Sequence, residues 1–170
     1  MLTETQGEVI ELYLAILGRE PTQAELDSGS GFLDGVGQRE QFRSALVNNT
    51  PEGRSLFVDQ ANTRPEIVVE LFDRLFGSEP DQATIDFFAD GPVSTNQLPL
   101  AIIDGTAANP NGPNTLALED RVEEVGVNLG IIDDGSGDDS GDQPQQGTTF
   151  GLTDGRDFFM GANAGTDGDD

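Results

Sequence analysis

One stretch of this chain occurs twice, and the repeat limits the folds that the sequence can adopt. Residues 11–27 (ELYLAILGREPTQAELD) align without a gap with residues 70–86 (ELFDRLFGSEPDQATID), fifty-nine positions later. Each copy has apolar residues at helical spacing, then a glycine (Gly18 or Gly77) that favours a helix end, and a proline three positions on. The repeat therefore predicts tandem helical units.

Capping residues predict where the further helices begin. Thr22 with Glu25 forms a capping-box pattern, and Asp81 is the equivalent cap in the second copy. Residues 29–37 are glycine-rich and predict a loop. A third helix is predicted over residues 38–48, and a fourth after Thr50, with a proline at its first position. The second copy repeats the third helix, because residues 41–50 align with residues 97–106.

A last amphipathic helix is predicted from apolar residues at helical spacing between Leu118 and Leu129. Residues 1–132 thus predict an all-α, compact multi-helix domain built from two tandem helical repeats. We expect the apolar residues of each helix to pack in its core, among them Ile85, Phe87 and Phe88 of the second copy.

The charge of the chain is strongly acidic. The sequence has 32 Asp and Glu residues against 8 basic residues, all of them arginine, and a net charge of −24. This field repels nucleic acid and anionic lipid, so that cations are the natural partners. An acidic surface without lysine also keeps a protein soluble at high ionic strength, and this second explanation of the charge requires no binding site.

The residue types that are absent exclude several classes of site. The chain has no His, Cys or Lys, which excludes a Ser-His-Asp triad, a cysteine nucleophile, a conventional zinc site, a disulfide and a lysine Schiff base within it. The first residues lack the basic and apolar regions of a Sec-type signal peptide, and no apolar run is long enough to span a membrane.

The composition changes after residue 132. Residues 133–147 contain five aspartates and no apolar residue, which predicts a disordered acidic linker. Residues 148–170 are rich in Gly and Asp with single phenylalanines, which predicts the beginning of a β-solenoid-like tail. Calcium prefers oxygen ligands, and Gly-Asp turns supply them at close spacing. The candidate calcium ligands are Asp154, Asp157, Asp167 and Asp169.

The first repeat resembles a known bacterial family. Leu12, Tyr13, Ile16, Leu17, Gly18, Arg19 and Pro21 match the signature of the bacterial domain of unknown function numbered four-two-one-four. The resemblance covers about residues 8–105 as two units, and it implies a helical module of secreted and surface proteins that accompanies RTX-type calcium repeats. The chain departs from the family pattern in two places. Asp27-Ser28-Gly29 stands where an aromatic pair is usual, and Ser78 of the second repeat stands where Arg is usual.

The tail shows a second resemblance. The stretch from Phe150 (FGLTDGRDFFMGANAGTDGDD) is similar to the segment that opens RTX-like regions of bacterial S-layer and type I-secreted surface proteins. The resemblance implies an N-terminal part that anchors to cell-surface polysaccharide or to another surface protein. It also implies a calcium-bound region that self-assembles beyond Asp170, and a secreted or cell-surface location without a Sec-type signal.

Three functions remain open from the sequence. The first is a non-enzymatic anchoring or adhesion module of an RTX/S-layer-like surface protein, with a calcium-binding region downstream. Its candidate ligand residues are the polar ones on the repeated loops: Arg19, Glu20, Ser78 and Glu79. The second is a carboxylate-dependent glycan hydrolase that uses the repeated pairs Glu20/Glu79 and Asp27/Asp86. The third is a passive solubility or spacer domain of a salt-adapted protein.

Overall fold

The structure, a computed structural model, describes residues 1–34, 38–59 and 62–132. In these ranges all regular structure is helical, which confirms the all-α prediction for this part of the chain. The predicted linker and the predicted solenoid-like tail lie outside the described residues. The helices are α1 (Glu4–Leu12), α2 (Gln23–Leu33), α3 (Arg39–Asn49), α4 (Pro51–Phe57), α5 (Arg64–Phe76), α6 (Gln82–Ala89), α7 (Leu98–Ala107) and α8 (Pro113–Asn128).

The predicted helix boundaries are confirmed where local chemistry determines them. Gly18 and Gly77 end the first helices of the two repeats with φ angles of 67° and 69°, in the left-handed region that glycine adopts without strain. Thr22 and Glu25 form the predicted capping box of α2. The side chain of Asp81 caps α6 by accepting a hydrogen bond from the Thr84 amide at 2.9 Å, without the reciprocal bond of a capping box. Helices α1, α2 and α3 thus correspond to α5, α6 and α7.

Helix α1 continues without a break into a π-helical turn, Tyr13–Leu17, whose five residues are all buried. The amide of Gly18 donates to the carbonyl oxygens of both Tyr13 and Leu14, each at 3.1 Å. The corresponding end of α5 remains a regular α-helix. The two repeats have therefore diverged in backbone geometry as well as in sequence, and the first repeat supplies the central helix of the core.

The glycine-rich loop predicted over residues 29–37 is wrong for residues 29–33, which belong to α2. The cause is a close approach between helices. A Cβ atom added to Gly29 would lie 2.9 Å from Val9 Cγ2 and 2.9 Å from Phe42 Cζ. The missing side chain lets α2 lie against α1 and α3, and the packing gained there outweighs the low helix propensity of glycine.

An arginine from a later helix binds the end of each first helix. Arg74 of α5 donates from Nη1 to the carbonyl oxygen of Ile16 at 2.9 Å and of Ala15 at 3.4 Å. Arg121 of α8 donates to the carbonyl oxygen of Asp73 at 3.3 Å. The last carbonyl groups of a helix carry partial negative charge, which favours a cation beside them. The carbonyl oxygen of Asp73 also accepts from the Gly77 amide at 2.9 Å. The two arginines join the first repeat to the second and the second repeat to α8.

The two ends of the helical domain meet beside the end of α8. The amino group of Met1 lies 3.4 Å from the carbonyl oxygen of Ile131. Leu2 and Ile132 both approach Gly126. The first and last described residues therefore lie close together near the C-terminal end of α8, which at 16 residues is about 24 Å long.

Candidate ligand-binding cleft

The structure places the first two predicted ligand residues in contacts within the domain. Arg19 makes a bidentate ion pair with Glu25 at 2.8 and 3.0 Å, lies 3.5 Å from Glu52, and stacks over the Tyr13 ring at 5.4 Å. The hydrogen bonds from Arg19 lower the pKa of Glu25 to about 2. Glu20 accepts a hydrogen bond from Asn128 at 3.3 Å. Both side chains therefore stabilise the start of α2 and the contact with α8.

Ser78 and Glu79 are exposed in the loop between α5 and α6. Among the residues that the structure describes, no hydrogen bond or ion pair joins them to Arg19 or Glu20. The two repeated loops do approach each other through their glycines, because Gly18 and Gly77 line one surface cavity with Arg74 and Arg121 between them. The four predicted side chains do not line that cavity, and their role in binding stays a prediction.

The repeated aspartates considered for hydrolysis lie on separate helices. Asp27 accepts from Gln23 at 2.7 Å on α2, and Asp86 accepts from Gln82 at 2.8 Å on α6. Both are exposed, and each bond joins residues one turn apart, so the repeat conserves a helix-surface pair.

The candidate calcium ligands Asp154, Asp157, Asp167 and Asp169 lie outside the described residues. Within residues 1–34, 38–59 and 62–132, no three carboxylate groups are placed so that they could hold a metal ion. Calcium binding by this chain thus stays a prediction for the tail.

One aromatic side chain that the apolar pattern of the sequence predicts to be in the core lies on the surface instead. Phe87 was expected to be buried, but it is 72 % exposed. Its neighbour Phe88 points inward and packs on Phe72, with ring centroids 6.0 Å apart. Helix α6 contains no fully buried residue, so only one of its faces lies against the domain, and Phe87, about 100° around the helix from Phe88, points to solvent. The Phe87 ring stands perpendicular to the Phe88 ring, with centroids 5.1 Å apart.

Phe87 forms one edge of a cleft of about 390 Å³ between α6, α7 and the start of α8. We call it the Phe87 cleft. Its inner wall is apolar and includes Phe72, Phe76, Phe88 and Ile102. Hydrogen-bonding side chains lie around it, contributed by Thr84, Thr106, Asn109, Asn114 and Thr115. Among the described residues, none that lines the cleft carries a charge. Combined apolar walls and a few polar groups are typical of small-ligand sites.

Two buried or half-buried polar side chains hold the backbone around the cleft. Thr115 is 9 % exposed, and its hydroxyl approaches the carbonyl oxygens of Thr106 at 2.9 Å and Asn109 at 2.7 Å. It thereby fixes the turn that carries Asn109 and Asn114. On the other side, Arg64 binds the backbone at the end of α6. The cleft is thus preformed rather than assembled from mobile loops.

The two repeats differ at the positions that form this aromatic edge. Phe87 and Phe88 align with Ser28 and Gly29 of the first repeat, fifty-nine residues earlier. In the first repeat, Gly29 packs tightly under Val9. The feature of the sequence that could have revealed the cleft is therefore the presence of Phe-Phe in the second repeat where the first repeat has Ser-Gly.

An ion cluster lies next to the cleft, on the other side of the turn that follows α7. Arg39 binds Glu8 at 2.9 Å and Asp104 at 2.6 Å, which joins α1, α3 and α7. The pKa of the nearby Glu11 is raised to about 7, chiefly by burial; the charge of Arg39 lowers it, and the charges of Glu8 and Asp104 raise it. Glu11 therefore titrates near neutral pH.

Comparisons with known proteins identify no relative. No protein-family model, no curated protein and no solved structure matches the chain. The resemblances described above rest on the residues alone and stay predictions. None of the helices in the described part of the chain is long and apolar enough to cross a membrane.

Proposed function

We propose that this chain is a non-enzymatic adhesion or anchoring module of a secreted bacterial surface protein, and that its helical domain binds cell-surface polysaccharide through the Phe87 cleft. The observation that carries the proposal is the exposed Phe87 ring beside an uncharged, polar-rimmed cleft. A single exposed apolar side chain is common on protein surfaces, but Phe87 stands at the edge of a cleft with aromatic walls. A ligand with one apolar face gains by covering this ring on binding.

The chemistry of a sugar chain fits this surface. The C–H groups on one face of a pyranose ring pack against the negative face of an aromatic ring, while its hydroxyl groups seek amides and hydroxyls. The Phe87 cleft offers both in one place, because Asn109 and Asn114 line it together with the ring. Preformed walls reduce the entropy lost on binding.

The cleft lies at the N-terminal end of α8, where this helix meets α6 and α7. In this proposal the downstream residues supply the calcium-dependent region, with Asp154, Asp157, Asp167 and Asp169 as ligands.

Co-sedimentation of the full chain with source cells tests the proposal. Cells with intact surface polysaccharide are expected to bind the protein, and cells stripped of it are not. The Phe87→Ala variant should lose binding. Phe32→Ala is the matched control, because Phe32 is also exposed, at 40 %, but lies on α2. Equal binding to stripped and intact cells would contradict the proposed function.

A further inference from the structure

We infer that the Phe87 cleft selects uncharged sugar residues and excludes acidic ones, an inference that rests on the proposed function. The helical domain is strongly acidic, with 22 Asp and Glu residues against 7 arginines in residues 1–132, a net charge of −15. None of these charges lies in the lining of the cleft. A neutral opening in so acidic a domain is the feature that the inference explains.

Two neighbouring cavities are lined by charged residues, so the absence of charge is particular to the Phe87 cleft. The larger cavity beside α4 and α5 contains Glu52, Glu66, Glu70 and Arg74. The cavity on the other side of the turn after α7 contains Glu8, Glu11 and Asp104 among its lining residues. These acidic clefts suit cationic groups, whereas the Phe87 cleft offers a cation no counter-charge.

An anionic sugar meets two penalties in the Phe87 cleft. Its carboxylate would lose water without gaining an arginine partner, because no basic side chain lines the cleft. The net charge of −15 would also oppose its approach at low ionic strength. A neutral sugar meets neither penalty, since its hydroxyl groups exchange water for the amides of Asn109 and Asn114 and the hydroxyl of Thr84.

A basic peptide is attracted to an acidic protein, but its cations would bind to the carboxylate-lined cavities and not to the Phe87 cleft. Within the proposed function, the occupant of the cleft is a neutral segment of polysaccharide. The cleft volume of about 390 Å³ is at the lower end for ligand sites, which indicates that one or two sugar rings enter it.

The test uses surface polysaccharide from the source cells, separated by anion exchange into neutral and acidic fractions. Calorimetric titration of the full chain is expected to show binding to the neutral fraction, with an affinity that changes less than about twofold when the salt is raised from about 0.05 M to about 0.5 M. The acidic fraction should not bind at either concentration. Phe87→Ala should weaken binding of the neutral fraction about tenfold or more, and Phe32→Ala should not.

The outcomes separate this inference from the proposed function. Binding of the acidic fraction alone, lost in Phe87→Ala, would overturn the selectivity for neutral sugars and leave polysaccharide binding at the cleft intact. Binding of the neutral fraction that Phe87→Ala does not weaken would overturn the assignment to this cleft. Absence of binding to both fractions would overturn the inference and the proposed function together.

Discussion

The guanidinium group of Arg64 donates two hydrogen bonds to the carbonyl oxygen of Phe88, from Nε at 3.1 Å and from Nη2 at 2.8 Å. The same Nη2 atom lies 2.6 Å from the carbonyl oxygen of Val93 and 3.3 Å from that of Gly91. Phe88 lies in the last turn of α6, where carbonyl groups lack partners within the helix, and Gly91 and Val93 follow that helix. One side chain therefore holds the backbone that positions Phe87.

Replacement of Arg64 should destabilise the domain. In Arg64→Lys a single ammonium group cannot reach all the carbonyl oxygens that the planar guanidinium binds. We expect a loss of about 2 kcal/mol in the free energy of unfolding, measured by urea denaturation. Arg54→Lys is the control, because Arg54 is 53 % exposed and its ion pair with Asp59 is long, at 3.9 Å. This variant should change the free energy of unfolding by less than about 0.5 kcal/mol. Equal effects of the two variants would contradict the role of Arg64.

Two glycines of the same helix should respond to alanine in opposite directions. At Gly29 a Cβ atom would lie 2.9 Å from Val9 and Phe42, so Gly29→Ala should cost about 1–3 kcal/mol through overpacking. At Gly31 no atom of the described residues lies within 4 Å of the added Cβ, so Gly31→Ala should stabilise α2 by about 0.5–1 kcal/mol. Thermal unfolding of both variants checks the pair. A stable Gly29→Ala variant would show that α1 and α2 are less closely packed than described.

Alanine substitutions of the two adjacent phenylalanines of α6 should affect stability and polysaccharide binding differently. Phe87→Ala removes a ring that is 72 % exposed, so we expect less than about 0.5 kcal/mol of destabilisation together with lost polysaccharide binding. Phe88→Ala removes a ring packed on Phe72 and should cost about 2–3 kcal/mol. Urea denaturation and binding of the same samples give both quantities. Strong destabilisation by Phe87→Ala would mean that this ring serves the fold.

Glu11 should make the domain less stable as the pH rises towards neutrality. Its pKa is about 7 in the folded protein and 4.5 in the unfolded chain. Between these values the folded state holds a proton that the unfolded state has released, so stability falls as pH increases and the penalty is complete above about pH 7. Glu11→Gln cannot ionise, and it should be more stable than the native protein above pH 7, by on the order of 2 kcal/mol.

Urea denaturation of the native protein and Glu11→Gln at about pH 5 and about pH 8 measures this effect. The difference between the two proteins should grow with pH, because all other titrating groups are common to both. The groups that face Glu11 are Glu8, Arg39 and Asp104, and Glu4 and Glu119 line the same cavity. A difference that does not change with pH would show that Glu11 remains ionised in the folded protein.

The sequence predicted those features that depend on short stretches of chain. The ends of helices at Gly18 and Gly77 follow from backbone conformations that few other residues adopt. The capping box of Thr22 and Glu25 depends on residues three positions apart. In each case the residues that determine the helix end are close together in the sequence, so the helices of the repeat could be predicted without knowledge of their packing.

Features that depend on distant contacts could not be predicted in this way. The extension of α2 through Gly29 depends on Val9 and Phe42, which lie 20 and 13 positions away. The exposure of Phe87 depends on which face of α6 meets α5, which the short apolar pattern of that helix does not determine. Arg64 and Arg74 look like ordinary surface residues in the sequence, but their partners are backbone carbonyl groups of other helices.

The most direct test of the central claim is a nuclear magnetic resonance titration of the full, isotope-labelled chain with fragments of the surface polysaccharide. The amide resonances of Thr84, Phe87, Asn109 and Asn114 should shift in a saturable manner, because these residues surround the proposed site. Shifts confined to Arg19, Glu20, Ser78 and Glu79 would instead place the ligand on the repeated loops and contradict the assignment of binding to the Phe87 cleft.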